Sequence, residues 1–208
     1  MPDFEFETLA HDAGFGRVAG VDEVGRGPWA GPVVASAVVL DVDFLPDDLM
    51  SGLDDSKKLS AKRRTQLFDV LPSCAAIGIG WADVEEIDTL NILQASLLAM
   101  ARALDDLNAP ADYALIDGNR MPDIPIRGET IIKGDGRSLS IAAASIVAKV
   151  TRDRHMTELG DAHPGYGWER NAGYGTAEHQ AALNRLGVTP HHRKSFAPIL
   201  KILSQPSI

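Results

Sequence analysis

Residues 18–34 read VAGVDEVGRGPWAGPVV. The start is apolar and β-branched, the composition of a strand. It ends on two adjacent carboxylates, Asp22 and Glu23, and then runs into three glycines and two prolines. Side chains on a strand alternate faces, so these two acids should point apart. Either one of them is ordinary surface, or the strand stops there and a turn brings both to one site.

Outward from this stretch the chain organises readily. Residues 33–40 read as a second strand and residues 74–81 as a third, so an early run of strands can pair antiparallel. Between them Ser60 is placed to cap a helix reaching about Val70. Asp83 can cap a short helix before Asn91. From 91 to 106, Leu93, Leu97, Met100, Ala101 and Leu104 recur at helical spacing. Residues 113–116 form a short strand ending at Asp117-Gly118, and 130–132 another ending at Lys133-Gly134-Asp135. Ser138 then caps a long helix whose buried stripe is Leu139, Ala143, Ile146, Val147 and Val150. After about Glu158 the aliphatics give way to Gly, Tyr, Trp, His and Arg, with helices expected from Thr176 to Leu186 and over 196–203. The reading is an α/β core over residues 1–158 and a helical appendage over 159–208.

The chain has 208 residues, 45% of them apolar, enough for a continuous core. No apolar run approaches the roughly 20 residues of a membrane span. The acidic N-terminus lacks a signal peptide's basic start and apolar run. Cys74 is the single cysteine, which leaves no internal disulfide and makes the cytoplasm the default location. The net charge of −9 argues against a generic nucleic-acid binder, but it is unevenly spread. The first 60 residues hold 12 acids against 4 Lys or Arg, whereas residues 133–208 hold 6 against 10, with five of the six histidines. An acidic body with a basic end suits a polyanion touching one face, and equally an uneven solvated surface.

Asp22, Glu23, Asp117 and Asp135 share a context, each after an apolar run and close to a glycine. Acids just past strand ends converge at one edge of a sheet, where α/β active sites lie. Four carboxylates there repel one another unless cations neutralise them, and hard oxygen ligands suit Mg²⁺ or Mn²⁺. Two such ions about 3.5–4 Å apart can activate a water and stabilise a leaving oxygen in phosphoryl transfer. Singly, Asp117-Gly118 reads as a turn and Asp135 as an acid at a helix N-terminus; as a set, the metal site is the better reading. No GxxxxGK[ST], HExxH or GxSxG pattern offers a competing chemistry. His191-His192, in a basic tail, reads as solvated or polyanion-facing.

The opening stretch resembles the N-terminal signature of bacterial ribonuclease HII, the type 2 ribonuclease H. The likeness continues in order through LDDSKKLS at 53–60, IDTLNILQASLLAMARAL at 87–104, LIDGNR at 115–120, IIKGDGRSLSIAAASIVAKVTRDR at 131–154, GYGWERNAGYGTAEH at 165–179 and HHRKSF at 191–196. It covers about residues 17–197. It departs from the family's pattern at Ala172, where a lysine is common, at Gly136-Arg137, where Ala-Lys is common, and in the spacing of HHRKSF.

The resemblance implies a ribonuclease H-like fold, a mixed central sheet flanked by helices, with a helical C-terminal part. It implies hydrolysis of the RNA strand of RNA–DNA hybrids and nicking of duplex DNA 5′ of an embedded ribonucleotide, leaving 3′-hydroxyl and 5′-phosphate ends. Such an enzyme serves ribonucleotide excision repair and RNA primer removal. Carried over by position, the catalytic and metal-binding acids are Asp22, Glu23, Asp117 and Asp135, with Mn²⁺ or Mg²⁺, two ions during catalysis. Gly25, Arg26 and Gly27 match the loop that reads the ribose 2′-hydroxyl, and Tyr174 the tyrosine stacking on that sugar. A 2′-hydroxyl is the only local mark separating ribose from deoxyribose, and glycine lets backbone groups approach it. Lys57 and Lys58 are candidate phosphate contacts, with Lys149, Arg152 and Arg154 on one helix similarly placed. Ser138 and Asn91 are helix caps first and substrate contacts second. The expected partners are RNA–DNA hybrid and ribonucleotide-containing duplex DNA, with no membrane association and a monomeric enzyme; residues 204–208 give no sign of a clamp-binding peptide. Because strand geometry keeps Glu23 off the Asp22 face, the chain is expected to turn at Glu23, or Glu23 to act partly through its carbonyl. Rival readings are an integrase-like or resolvase-like nuclease, which would cut all-DNA duplex, a non-catalytic hybrid-binding module and a metal-dependent phosphatase.

Overall fold

The computed structural model describes residues 1–204; the last four residues, and with them most of the segment considered for clamp binding, lie outside the described residues. The strands are β1 Val18–Val24, β2 Val33–Leu40, β3 Ala75–Ala82, β4 Tyr113–Asp117 and β5 Arg127–Ile131. The helices are α1 Glu5–Asp12, α2 Asp47–Met50, α3 Ala61–Val70, α4 Val84–Leu90, α5 Ile92–Asp105, α6 Leu139–Ala162, α7 Trp168–Asn171, α8 Ala177–Leu186 and α9 Ala197–Leu203. The strands form one mixed sheet in the order β3-β2-β1-β4-β5. β1, β2 and β3 are antiparallel neighbours, while β4 joins β1 and β5 joins β4 in parallel. No described helix is long and apolar enough to cross a membrane.

Alternation along the strands creates two apolar faces. Ala19, Val21, Val33, Ala35, Ala37, Ala114 and Ile116 pack with Ala95, Ala99, Met100 and Ala103 of α5. On the other face Val38 packs with Leu139, Ala143, Ile146, Val147 and Val150 of α6, the stripe read from the sequence. Both helices lie very close to the sheet. A Cβ on Gly20 of β1 would fall 2.1 Å from the Ser140 carbonyl carbon of α6, and one on Gly80 of β3 would fall 1.9 Å from Ala99 O of α5.

The helix starts follow the capping residues. The Ser60, Ser138 and Thr176 side chains accept from the backbone N–H three residues on, and Asp83 with Glu86 forms a reciprocal capping box. Asn91 accepts from Leu93 N and Gln94 N at the start of α5.

Three boundaries differ from expectation. β1 continues through Glu23 and Val24, which pair with Ala35 and Val34, so the chain does not turn at Glu23. β5 begins at Arg127 because its parallel partner β4 extends alongside it. α6 runs for 24 residues, through the compositional change at 158, because Met156 and Gly160 stay buried on its far end. Met156 joins Ala30, Tyr166, Trp168, Ala182, Leu183 and Ile199 in a cluster that seats the C-terminal helices on the loop after β1.

Candidate active site

The acids collect at the ends of β1 and β4. Asp22 and Asp117 each lie one residue beyond the last paired positions of these parallel strands, Val21 and Ile116. They share parity with Gly20 and Leu115, which face α6. A single 3₁₀ turn, Gly134–Gly136, brings Asp135 to the same edge, and Gly134 N donates to Asp117 Oδ1 at 2.7 Å. Lys133 takes the left-handed conformation (φ 56°) to enter that turn. Glu23, next along β1 and beyond the last β4 pairing, places its charge in the field of Asp22 and Asp117.

The electrostatics are those of crowded anions. Burial, then the like charges of Glu23 and Asp117, hold the Asp22 carboxyl well above the usual carboxylate range. Burial raises Glu23 as well, and the Arg26 guanidinium, 3.2 Å from Glu23 Oε1, offsets it only in part. Asp135 is raised by burial and then by Asp117 and Asp55. Lys57 is the cation that answers them. Burial disfavours its charge, but Asp22, Asp55, Asp135 and Asp117 together hold its ammonium above the ordinary lysine value.

All four acids supply hard oxygen donors to one strongly negative, part-buried locus, the chemistry a divalent cation requires. Asp22 Oδ1 accepts Glu23 N at 2.8 Å, Asp117 Oδ1 accepts Gly134 N, and Glu23 Oε1 accepts Arg26. With the side chains so engaged, no three Asp, Glu, His or Cys among the described residues are gathered closely enough to enclose an ion. The donor set fits a cation, and the carboxylates must turn inward to hold it.

The segment before α3 is braced against this edge. Ser56 Oγ and Ser145 Oγ of α6 share a buried hydrogen bond of 2.8 Å, and Arg64 Nη1 donates to Ser56 O and Leu59 O. Lys57 therefore faces the acids, whereas Lys58 is exposed and paired with Asp54 at 2.9 Å.

The loop over residues 25–32 is stitched to the C-terminal region. Trp29 N donates to Gly173 O at 2.8 Å, Gly31 N to His191 O at 2.9 Å, and Arg193 N to Trp29 O at 2.9 Å. Tyr174 follows directly and is half exposed, and a Cβ on Gly27 would lie 3.3 Å from its ring. Gly25 needs its glycine twice: its φ is +95°, and a Cβ would fall 2.2 Å from Arg152 Nε.

Several sequence expectations are corrected here. Ser138 is fully buried, donates to Glu7 Oε1 at 2.6 Å and caps α6, so it has no face for a substrate. Arg152 is likewise fully buried and unavailable to phosphate. Lys149 is paired with Asp153 on its own helix at 2.7 Å. His192 is not solvated: it is sealed against His179, Trp168 and Tyr166, with His191 partly buried beside it. Two groups escaped the sequence reading. Asp55 acts on Asp135 as a fifth acid, its one signal being its place in the Asp-Ser-Lys-Lys run. Arg193 gives all its side-chain hydrogen bonds to backbone carbonyls, which no side-chain pattern reveals.

A family model described as Ribonuclease HII matches residues 19–199. The chain is 59% identical to a ribonuclease HII of Rhodospirillum rubrum over 210 residues, spanning 100% of this chain and 94% of that protein. It is 60% identical to one of Ruegeria pomeroyi, spanning 99% and 86%. Among solved structures, it resembles the ribonuclease H2 of Pyrococcus horikoshii OT3 with a TM-score of 0.70 at 25% identity, covering 90% of this chain and 97% of that one. It resembles Bst-RNase HIII in complex with Mn²⁺ with a TM-score of 0.75 at 22% identity, covering 94% and 71%.

Proposed function

The chain belongs to the ribonuclease HII family and is an endoribonuclease of the ribonuclease H kind, and on that premise we propose that it recognises a ribose beside DNA and cuts on its 5′ side. Its substrates are then the RNA strand of RNA–DNA hybrids and duplex DNA carrying a single ribonucleotide, in ribonucleotide removal and primer removal. The observation that carries the proposal is the adjacency of the Asp22–Asp117 edge, through Glu23 and Arg26, to the Gly25-Arg26-Gly27 loop and Tyr174.

Asp22, Glu23, Asp117 and Asp135 are the residues that would hold Mn²⁺ or Mg²⁺. A divalent cation supplies neutralisation of their charge, Lewis-acid polarisation of a phosphate and a more acidic water. The chain's own groups do the rest. Lys57 places a positive charge beside the acids, where the polyanionic backbone must approach them. Arg26, held by Glu23, orients the loop next to the reacting phosphate. Backbone groups at Gly25 and Gly27 come close enough to read a 2′-hydroxyl, and the exposed ring of Tyr174 offers a face to the sugar. Discrimination then arises because an unfilled polar site rejects deoxyribose.

The test is cleavage of one labelled duplex, with a single ribonucleotide or with none, in Mg²⁺ and in Mn²⁺. The proposal expects a cut 5′ of the ribonucleotide, with 3′-hydroxyl and 5′-phosphate ends, and none in the all-DNA duplex. Equal cutting of both duplexes would favour an integrase-like nuclease instead.

A further inference from the structure

Two arginines are sealed beneath the glycine loop. Arg152 of α6 and Arg193, in the segment between α8 and α9, are both fully buried. Among the described residues neither takes part in an ion pair. Their partners are carbonyls. Arg193 donates from Nε to Gly31 O at 2.9 Å, from Nη1 to Arg26 O at 3.0 Å, and from Nη2 to Gly25 O at 2.6 Å and Pro32 O at 3.2 Å. Arg152 donates from Nε to Pro32 O at 2.8 Å, from Nη2 to Ala30 O at 3.1 Å and from Nη1 to Ala172 O at 2.9 Å.

An unpaired buried charge is costly, and its cost is visible here. Burial pulls Arg152 down to about 10; burial and then the neighbouring Arg152 charge pull Arg193 down to about 9. Packing alone does not explain the choice, because an apolar side chain would fill the space more cheaply. What demands a guanidinium is the set of six inward-facing carbonyls, five of them from residues 25–32 and one from the turn before Tyr174. No other side chain carries five donors in a planar fork. The loop is built around the Arg152 fork at Gly25, where a Cβ would strike Nε.

We infer that Arg152 and Arg193 are positioning residues that lock the 25–27 loop and the 172–174 turn into one rigid edge, and so set the enzyme's selectivity for a single ribose. The inference rests on the proposed function, in which that edge reads the 2′-hydroxyl. Arg193 aims the carbonyls of Gly25 and Arg26 inward, which fixes the outward direction of the adjoining amides. Arg152 ties the same loop to Ala172, two residues before Tyr174. Neither arginine touches the substrate.

Lysine keeps the charge but loses the fork, so Arg193→Lys separates charge from geometry. A single ribonucleotide offers one position at which the edge must fit; a continuous hybrid offers a 2′-hydroxyl at every step and forgives a misplaced edge. In steady-state cleavage with Mn²⁺, Arg193→Lys and Arg152→Lys are each expected to lower kcat on the single-ribonucleotide duplex about tenfold more than on a continuous hybrid, with KM within about threefold of wild type. A merely structural role would lower both activities in parallel. A parallel fall, an unchanged ratio, or failure of both variants to fold overturns the inference. Wild-type enzyme that cuts all-DNA duplex as readily would instead overturn the proposed function, so the two failures are distinct.

Discussion

Asp22 and Asp117 stand side by side where the β1–β4 ladder ends, each one step past the Val21–Ile116 pair of two parallel strands and on the face that carries α6. Parallel pairing aligns the two positions, and a shared parity puts both carboxylates on one side. Burial and like charge make this arrangement unfavourable for the folded chain on its own.

Asp22→Asn should therefore not weaken the metal-free fold, and should stabilise it by about 1 kcal/mol, because a buried repulsive charge is removed. Added Mn²⁺ should raise the urea midpoint of the wild type through binding to the native state, and raise that of the variant much less. Urea titrations with and without Mn²⁺ read both effects; equal Mn²⁺ shifts in the two proteins would count against a cation at this edge.

Gly20→Val should destabilise the protein by roughly 2–4 kcal/mol, because the N-terminal turn of α6 sits where the new side chain must go. The affected atoms are backbone, which cannot swing aside. An unfolding free energy unchanged within error would show that α6 does not approach β1 so closely.

Glu7→Ala should cost roughly 2–3 kcal/mol while leaving the acids untouched, since Glu7 Oε1 accepts from Ser138 Oγ, Ser140 N and Ser140 Oγ at the positive end of α6. Denaturant midpoints measure the loss. Glu7→Gln, which keeps an acceptor oxygen, should recover part of it.

His192 makes stability depend on pH. Trp168 Nε1 donates to His179 Nε2 at 3.2 Å, so the His179 proton sits on Nδ1 and is given to Tyr174 O at 2.9 Å. Thr189 N donates to His192 Nδ1 at 3.0 Å, so His192 carries its proton on Nε2 and gives it to His179 at 3.0 Å. Burial and then His179 pull His192 down to about 4. The unfolded chain binds that proton near pH 6.5, so the stability is complete above 6.5 and is lost as pH falls from there toward 4. Between pH 7.5 and 5 the wild type should lose about 2 kcal/mol more than His192→Gln. Parallel pH profiles for the two proteins would remove this role.

Much of the fold was legible because it is local. Ser60, Asp83, Asn91, Ser138 and Thr176 each announce a helix start within a few residues, and the stripe of α6 follows from spacing, whereas α5 buries Ala95, Ala99 and Ala103 beside Met100 and Leu104 and leaves Leu93, Leu97 and Ala101 only partly buried. The acids were legible as residues closing apolar runs before glycines. What was hidden depends on distant partners. Strand β1 continues past Glu23 because Ala35 and Val34 lie opposite. α1 escaped notice because its reason for order, Glu7 against Ser138 and Ser140, spans about 130 residues. Arg152 and His192 read as phosphate-facing or solvated groups, and Arg193 drew no reading, because burial of a polar side chain on backbone carbonyls or on another histidine leaves no mark in spacing or charge.

The most direct test of the account is Mn²⁺-dependent cleavage of a labelled DNA duplex bearing one ribonucleotide, by wild type and by folded Asp22→Asn at matched concentration. Wild type should cut once, 5′ of the ribonucleotide, and Asp22→Asn should fall by at least about a thousandfold. Cleavage by the variant near the wild-type rate would contradict the assignment of the Asp22–Asp117 edge as the catalytic site.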